Sequence, residues 1–223
     1  EVSVCGWVKT FRSNRFININ DGSCIEDLQC VIELDSFDKK TLSQINTGAS
    51  LNLKGEIVES QGKGQNVEIH VKNIEILGIS HPDNYPIQPK KHSFEFLREN
   101  AHLRARTKTI SSVLRIRSEV SYSIHKFFNE NNFYYVHTPI ITGSDAEGAG
   151  EMFKVTTHNL KEIPKDENND IDFSKDFFGK ETNLTVSGQL EAEALALGMG
   201  KVYTFGPTFR AWVNIIIIFI RHN

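Results

Sequence analysis

The first 77 residues carry five segments with alternating apolar and polar side chains, interrupted once by a polar stretch of helical character. Alternation with a period of two residues predicts strands that have one buried face. The segments are residues 2–8, 15–20, 28–34, 50–58 and 67–71, the last continued through 74–77, and the helical stretch is 37–45. Gln61-Gly-Lys-Gly64 predicts a hairpin turn, because glycine accommodates positive φ. Three strands, a helix and two strands are the order of an OB-fold β-barrel, which is therefore predicted over residues 1–77.

The overall composition sets loose bounds on function. The 223 residues have a net charge of −3, with 39% apolar and 24% charged side chains, as in a soluble globular protein. Any surface for nucleic acid must therefore be local. The three cysteines lack a CxxC spacing, so we expect no metal site, and buried free thiols in a reducing cytoplasm. The apolar run at residues 215–220 is too short to span a bilayer, which predicts no membrane partner.

A local run of basic residues precedes Asp21 in this predicted barrel, with no acid among residues 2–20. Lys9, Arg12 and Arg15 come before Asp21, and Phe16 follows directly. OB-fold barrels bind single strands through aromatic platforms and basic rims, so Phe16 is a candidate for stacking on a base. Gln29, on the next strand, is a candidate for bonding the edge of that base. Phe16 as a core residue is an equal alternative, because it cannot share a face with the neighbouring Ile17.

A change of composition marks a boundary after the predicted barrel. Residues 78–93 hold three of the six prolines, which predicts a linker over residues 78–99. From residue 90 to residue 117 there are eight Lys or Arg side chains and two acids. This basic segment either holds phosphates or forms a solvated helix face.

Residues 100–211 read as the first part of an α/β domain on a mostly antiparallel sheet, because helices alternate with strands without the crossover lengths of βαβ units. An amphipathic helix is predicted over residues 111–129, and strands are predicted over 202–205 and 208–211. A glycine-rich loop, residues 143–155, and a polar surface insertion, residues 158–182, lie between them. The residues predicted to face inward from the long helix are Val113, Ile116, Val120, Ile124, Phe127 and Phe128.

The stretch LTVSGQLEAEALALG, residues 184–198, begins as a strand and ends as a helix. Gln189, Glu191 and Glu193 bring an amide and carboxylates to the junction. Taken alone, this pattern also fits a solvated turn. The predicted apolar face of the helix comprises Leu190, Ala194, Leu195, Ala196 and Leu197.

Several of these segments resemble the class II aminoacyl-tRNA synthetases. FFNENNFYYVHTPIIT is similar to motif 1 of that family, with Pro139 as its proline, and TFGPTFRA is similar to the first half of motif 2, with Arg210 as its arginine. An OB module, a linker and this catalytic domain form the subgroup for aspartate, asparagine or lysine. SDAEGAGEMFKV and DFFGKETNLTVSGQLEAE resemble the asparagine-specific family of bacterial type.

The resemblance implies an activity and roles for named residues. It implies ATP-dependent formation of asparaginyl-adenylate with Mg²⁺, transfer of the acyl group to tRNA(Asn), and a homodimer formed through motif 1. Arg210 is implied to contact the ATP α-phosphate and the substrate carboxylate, and Glu147 the substrate ammonium, with Ser187 and Gln189 nearby. Glu193 would accept hydrogen bonds from the asparagine amide. The tRNA-binding residues would be Arg12, Phe16 and Gln29, the last two at the central anticodon uridine.

The resemblance also sets the alternatives. Aspartate-specific relatives carry a lysine at the position of Ala192, which makes an aspartyl-tRNA synthetase the runner-up. After Ala211 the pattern is lost: Trp212 stands where the family has a glutamate that helps to hold ATP, and residues 212–223 form an aberrant isoleucine-rich tail. We therefore expect a chain truncated within motif 2, without the magnesium ligands and inactive alone. A tRNA-binding remnant without catalysis is the other alternative.

Overall fold

The computed structural model describes residues 1–33, 36–62, 64–145, 152–210 and 219–221, and for 219–221 the backbone only. The chain divides into two compact units, Glu1–Ser118 and Glu119–Asn223. The division falls within the long helix α3, Lys108–Glu130. The other elements of the first unit are β1 (Val2–Arg12), β2 (Phe16–Asn20), β3 (Leu28–Val31), α1 (Lys39–Ser43), β4 (Ser50–Glu59), β5 (Val67–Gly78) and α2 (Phe94–Glu99).

The five strands close into a barrel in the order β1-β2-β3-β5-β4, which confirms the predicted OB-fold. Within the described residues of the barrel, β3 and β5 pair in parallel and the other strand pairs are antiparallel. The β1–β2 hairpin turns at Ser13 and Asn14, whose positive φ angles of 54° and 48° are those of the central residues of a type I′ turn, and the Arg15 N–H closes this turn by donating to the Arg12 carbonyl at 3.0 Å. The predicted linker contains the short helix α2, which Ser93 caps by accepting a hydrogen bond from the Phe96 N–H.

The alternation of apolar and polar side chains along the barrel strands separates an apolar core from an outer face. Ile17 and Ile19 of β2 are buried with Leu51 and Leu53 of β4 and Ile69 of β5. Because successive side chains of a strand point to opposite faces, the residues between them face outward. Phe16 is accordingly half-buried and lies outside the core cluster.

The cysteines differ from the expectation of three buried thiols. All three are free, but Cys5 and Cys24 are exposed and only Cys30 is buried. Cys30 points into the barrel beside Ile17, its partner on β2. Burial raises the pKa of the Cys30 thiol to about 12, because the apolar interior disfavours the thiolate.

The described part of the second unit contains two small sheets, one further α-helix and a short 3₁₀ helix, Phe173–Lys175. Its elements after α3 are β6 (Tyr134–Tyr135), β7 (Ile141–Thr142), β8 (Lys154–Val155), β9 (Thr182–Leu184), α4 (Gln189–Met199), β10 (Lys201–Tyr203) and β11 (Phe219–Arg221). One sheet has the order β11-β10-β6 and the other β7-β9-β8. Among the described strands of this unit, β10 and β6 pair in parallel and the other three pairs are antiparallel, so the mostly antiparallel sheet is confirmed.

The strand predicted over 208–211 is wrong for the described residues 208–210, which form no strand. The Phe209 N–H donates to the Thr185 carbonyl at 2.9 Å, but one such link does not make a ladder. Residue 211 and most of the tail, 212–218 and 222–223, lie outside the described residues.

The apolar stripe of α3 was predicted to face inward, and this is wrong for most of its members. Val113, Ile116, Val120 and Phe127 are between 51% and 63% exposed, whereas Phe128 is buried. The spacing of three and four residues does produce one face of a helix. In the part of the chain that the structure describes, too few residues pack on that face to bury it.

The buried face of α4 also differs from the prediction. Leu190, Leu195 and Leu197 are exposed, and the buried residues are Ala192 and Ala196, one turn apart. They form a core cluster with Val136 and Val202. The small alanine side chains let the helix approach β10 closely, which burying the larger leucines would prevent.

A polar interaction joins α3 to β10 within the second unit. The Tyr203 hydroxyl lies 2.6 Å from Nδ1 of His125, and the Tyr203 ring stacks on Phe128 with centroids 4.5 Å apart. Burial raises the pKa of Tyr203, and the nearby Tyr135 adds to that shift. The pair thus holds β10, the strand that leads to Arg210, against α3.

The polar segment at residues 158–182 is organised around one carboxylate. Asp176 accepts hydrogen bonds from both Thr156 and Thr157 hydroxyls and from the N–H groups of Thr157 and Phe177. The hydroxyl and amide donors hold the pKa of Asp176 well below its usual range. His158 lies beside it, with Nε2 at 3.9 Å from the carboxylate. The predicted surface insertion therefore has a fixed internal structure.

Candidate amino-acid site and nucleic-acid interface

The junction between β9 and α4 is a closed, buried turn. The Thr185 hydroxyl donates to the Ser187 carbonyl at 2.6 Å and accepts from the Ser187 N–H at 3.2 Å. The Ser187 hydroxyl in turn accepts from the Gln189 N–H at 3.0 Å. Ser187 is only 2% exposed, so its hydroxyl contacts the first residue of α4 from the buried side of the turn. Thr185 is a residue of this site that sequence reasoning missed.

Gly188 lies between these residues because the backbone there passes directly over Thr138. A Cβ at position 188 would lie 2.2 Å from the Thr138 hydroxyl oxygen and 3.0 Å from its Cβ. The threonine side chain is short and has no flexible end that could move away. Any larger residue at 188 would therefore displace the turn that carries Gln189.

Gln189 and Glu193 meet at the exposed side of the first turn of α4. Nε2 of Gln189 donates to Oε1 of Glu193 at 2.9 Å, the contact that residues four apart on a helix can make. Ala192, the neighbour of Glu193 in sequence, points the opposite way into the core. The accessible end of this turn therefore presents a carboxylate with a carboxamide held against it.

Arg210 follows the segment that is joined to this turn. The Phe209 N–H bonds the Thr185 carbonyl, so Arg210 leaves the backbone next to the buried turn. Its Nε is buried, which limits the directions open to the guanidinium. Glu147, the remaining candidate for this site, lies outside the described residues.

No group of three His, Cys, Asp or Glu side chains within the described ranges is arranged to hold a metal ion. We therefore assign no residue to Mg²⁺ and no chemical step to it.

The outer face of the barrel brings the predicted nucleic-acid residues together. In the register of β2 and β3, Phe16 lies opposite Val31 and Asn18 opposite Gln29, which puts Phe16 and Gln29 on the same face as diagonal neighbours. Arg12 lies opposite Phe16 at the end of the β1–β2 hairpin and is exposed. An aromatic ring, an amide and a guanidinium thus share one surface.

Gln29 is held by a residue that sequence reasoning missed. Its Nε2 donates to Oε2 of Glu68, on β5, at 3.0 Å. The sequence contains a signal that could have found Glu68. Ile69 and Val71 alternate with Glu68 and His70, so one of these two pairs had to face outward.

Comparison of the sequence with models of known protein families agrees with this architecture. The family model for tRNA synthetases class II (D, K and N) matches residues 93–212, and the model for the OB-fold nucleic acid binding domain matches residues 2–77. Since the first of these covers more than half of the chain, the protein belongs to the class II tRNA synthetases of the D, K and N group.

Within that family the similar curated relatives are asparagine–tRNA ligases. The chain is 54% identical over 214 residues to the enzyme of Cytophaga hutchinsonii, covering 95% of this chain and 46% of that relative. It is 55% identical over 213 residues to the enzyme of Parabacteroides distasonis, covering 94% of this chain and 46% of that relative. The chain thus spans about half the length of the curated relatives that it matches.

Solved structures show the same fold at lower identity. The asparaginyl-tRNA synthetase of Pyrococcus horikoshii, complexed with asparaginyl-adenylate, matches with a TM-score of 0.74 at 22% identity, over 95% of this chain and 45% of that one. The enzyme of Entamoeba histolytica matches with a TM-score of 0.75 at 23% identity, over 96% of this chain and 46% of that one.

No described helix is long and apolar enough to cross a membrane.

Proposed function

We propose that the protein activates L-asparagine with ATP, forming asparaginyl-adenylate and pyrophosphate, and transfers the asparaginyl group to tRNA(Asn). In the first step a substrate carboxylate oxygen attacks the α-phosphorus of ATP and pyrophosphate leaves. Catalysis of such a step consists mainly of positioning and charge neutralisation. Membership of the family and the curated relatives at about 54% identity support this assignment.

Arg210 is proposed to bridge the two reacting groups. A guanidinium is always charged and can donate two parallel hydrogen bonds, which suits both the carboxylate and the α-phosphate. Its link to the buried turn through Phe209 and Thr185 supports a position beside the amino acid. Glu147 is proposed to hold the substrate ammonium. Ser187 acts indirectly in this proposal, by fixing the start of α4 under Gln189.

The contact between Gln189 and Glu193 is the observation that carries the choice of asparagine. A carboxylate accepts hydrogen bonds from the NH₂ of asparagine and repels the side-chain carboxylate of aspartate. Ala192 is buried and uncharged, so no cation at that position offsets the negative charge. The two substrates have nearly the same shape, and polarity must therefore discriminate between them.

The catalytic proposal is tested by asparagine-dependent exchange of pyrophosphate with ATP. Residues 1–210 would be continued by the corresponding remainder of the Cytophaga hutchinsonii relative, and asparagine and aspartate compared as substrates. We expect exchange with asparagine only, and a loss of at least about 10²-fold with Arg210→Ala. Exchange with aspartate alone would support an aspartyl-tRNA synthetase instead. The 223 residues by themselves are expected to be inactive, because Trp212 stands at the position where the family has a glutamate that helps to hold ATP.

Binding of tRNA without catalysis is a second candidate function for these 223 residues. It is favoured by the outer face of the barrel, where Arg12, Phe16 and Gln29 share one surface. Titration of the protein with an anticodon stem-loop of tRNA(Asn) tests it independently of ATP. Equal affinity for a hairpin with an unrelated loop would contradict it.

A homodimer through α3 is also proposed, with a cytoplasmic location. The exposed stripe of Val113, Ile116, Val120 and Phe127 continues along one face of the helix for about four turns. A two-fold axis would bring the same stripe from a second copy against it and remove both from water.

A further inference from the structure

A cavity of about 800 Å³ lies between the barrel and the linker, within the first unit of the chain. Its lining comes from three parts of that unit: residues 8–10 of β1, most of the linker between residues 85 and 97, and residues 106–109. Pockets for small organic ligands typically measure about 300–1,000 Å³. The cavity therefore has the size of a ligand site, and its residues are different from those of the proposed amino-acid site.

The lining of this cavity carries more positive than negative charge. Its cations are Lys9, Lys90, Lys91, Arg106 and Lys108. Its acids are Asp27 and Glu95. Two of these residues have ion-pair partners outside the lining, since Glu95 pairs with Arg98 at 3.3 Å and Lys108 with Glu26 at 3.1 Å. The remaining cations outnumber Asp27, so the cavity favours an anion.

Lys9 is the half-buried cation of this set. It makes no ion pair among the described residues, and its ammonium donates to the Arg106 carbonyl. Burial lowers the pKa of Lys9; the charge of Asp27 opposes this shift, and the charges of Arg106 and Lys108 add to it. A bound anion would supply the negative charge that the surroundings of Lys9 lack.

Thr10, the next residue on β1, contributes a polar group without a partner. Its Oγ1 is buried and makes no hydrogen bond within the part of the chain that the structure describes. The pairing of β1 with β2 shifts register between Val8 and Thr10, and such an irregularity lets the consecutive residues Lys9 and Thr10 both line the cavity. A hydroxyl can donate to a phosphate oxygen, so Thr10 and Lys9 together offer two neighbouring donors.

The position of Arg106 is fixed by aromatic side chains. The Tyr85 ring packs over Gly48, where an added Cβ would lie 2.7 Å from two ring carbons. The Tyr85 hydroxyl accepts from Nη1 of Arg106 at 3.3 Å, and the guanidinium lies over the Trp7 ring, 4.4 Å from its centroid. A side chain held in this way loses little conformational entropy when a ligand binds.

We propose that this cavity binds a small phosphate monoester of about the size of a mononucleotide, with its phosphate contacting Lys9, Thr10 and Arg106. The cavity is much larger than a phosphate ion, and apolar residues such as Ile87 and Phe94 also line it. The ligand therefore combines a phosphate with an apolar or aromatic body. This binding goes beyond the proposed synthetase activity and does not depend on it.

The test is isothermal titration calorimetry of the 223-residue protein with AMP and with adenosine, which lacks the phosphate. We expect AMP to bind with a Kd of about 1 mM or tighter, and adenosine to bind at least about tenfold more weakly. Thr10→Val and Lys9→Gln should each weaken the binding of AMP by about tenfold or more. Lys54→Gln is the matched control, because Lys54 is an exposed lysine of β4 that does not line the cavity.

The two substitutions also separate binding from folding. Valine has the shape of threonine, and the Thr10 hydroxyl has no described partner to lose, so Thr10→Val should keep the Tm of the wild type in circular dichroism. If Lys9→Gln unfolds, Thr10→Val alone therefore decides the question. Unchanged affinity for AMP in a folded Thr10→Val variant would overturn the proposed phosphate contact.

The remaining outcomes distinguish this inference from the proposed function. Arg210→Ala should leave the affinity for AMP unchanged. If it abolishes AMP binding and Lys9→Gln does not, AMP occupies the proposed catalytic site and the inference fails. If AMP does not bind, and Lys9→Gln instead weakens the binding of an anticodon stem-loop, the cations of the cavity serve RNA, and the inference fails while tRNA binding stands.

Discussion

Nε2 of Gln189 donates to Oε1 of Glu193 across one turn of α4, at 2.9 Å, with the intervening Ala192 buried on the opposite side. The pair therefore presents an acceptor group with a fixed partner and no compensating cation from position 192. A substrate amide can complete this arrangement, and a substrate carboxylate opposes it. The proposed asparagine preference thus rests on a contact between two side chains, which makes it accessible to single substitutions.

Glu193→Gln should weaken the discrimination against aspartate. A glutamine can donate to a carboxylate as well as accept from an amide, so the repulsive element is lost. We expect the ratio of kcat/KM for asparagine over aspartate to fall by about 5- to 150-fold, which corresponds to about 1–3 kcal/mol. Pyrophosphate exchange by the chimera measures it. Glu191→Gln, the same change on the same turn, is the control, and a ratio unchanged in Glu193→Gln would assign the selection to another residue.

Phe16→Ala should weaken the binding of an anticodon stem-loop by about 1–3 kcal/mol, because it removes a stacking surface. Its ring lies on the outer face, so the barrel should retain its stability. Filter binding gives the affinity, and thermal unfolding of the same samples gives the stability. A large drop in Tm with unchanged affinity would mean that Phe16 serves packing alone.

Val120→Asp should dissociate the proposed homodimer. The valine is 51% exposed in one chain, and the two-fold axis would place the new carboxylates in an apolar contact. We expect the dissociation constant to rise at least about tenfold, or about 1.4 kcal/mol, in sedimentation velocity. Ser118→Asp adds the same charge on the opposite side of α3. Equal sedimentation of the two variants would argue against a dimer through this stripe.

Two of the three cysteines should react with a thiol reagent in the native protein. Cys5 and Cys24 are exposed, whereas Cys30 is buried with its pKa raised to about 12. The thiolate is the reactive form, so Cys30 should react at least about 10²-fold more slowly at pH 8. Counting thiols with Ellman's reagent before and after unfolding in guanidinium checks this. In Cys30→Val the second count should not exceed the first.

The sequence predicted most of the barrel because its signal is local. The alternation of Ile17 and Ile19 with Phe16 and Asn18 requires one buried face, and the register with β3 then decides which. Alternation alone could not say whether Phe16 or Ile17 faces the core, since both are apolar. Glu68 was overlooked for a different reason: its contact with Gln29 joins residues far apart in sequence, and only the β3–β5 pairing brings them together.

The errors in the helices α3 and α4 have a common physical origin. The stripe of α3 and the leucines of α4 follow helical periodicity, which shows that a face is apolar and does not show what covers it. In α4 the small residues Ala192 and Ala196 are the buried ones, because close approach favours them over Leu190 and Leu195. Ser187, Gln189 and Glu193 were identified through resemblance, and their tRNA synthetase roles remain predictions.

Asp176→Asn should destabilise the protein at neutral pH, and the destabilisation should become smaller in acid. The donors from Thr156 and Thr157 hold the folded-state pKa of Asp176 below its value in the unfolded chain, about 3.9. A carboxylate of this kind stabilises the fold above that pH, and its contribution disappears as the pH falls through the lower, folded-state value. Asparagine also turns an NH₂ toward groups that already donate. We therefore expect the variant to have a lower Tm than the wild type at pH 7, and we expect this difference in Tm to become smaller as the pH falls below about 4.

Thermal unfolding of both proteins, followed by circular dichroism between pH 7 and pH 3, measures the difference in Tm. Asp170→Asn makes the same chemical change in the same exposed segment and should show no such convergence. A gap that stays constant with pH would mean that the four hydrogen bonds around Asp176 do not depend on its charge.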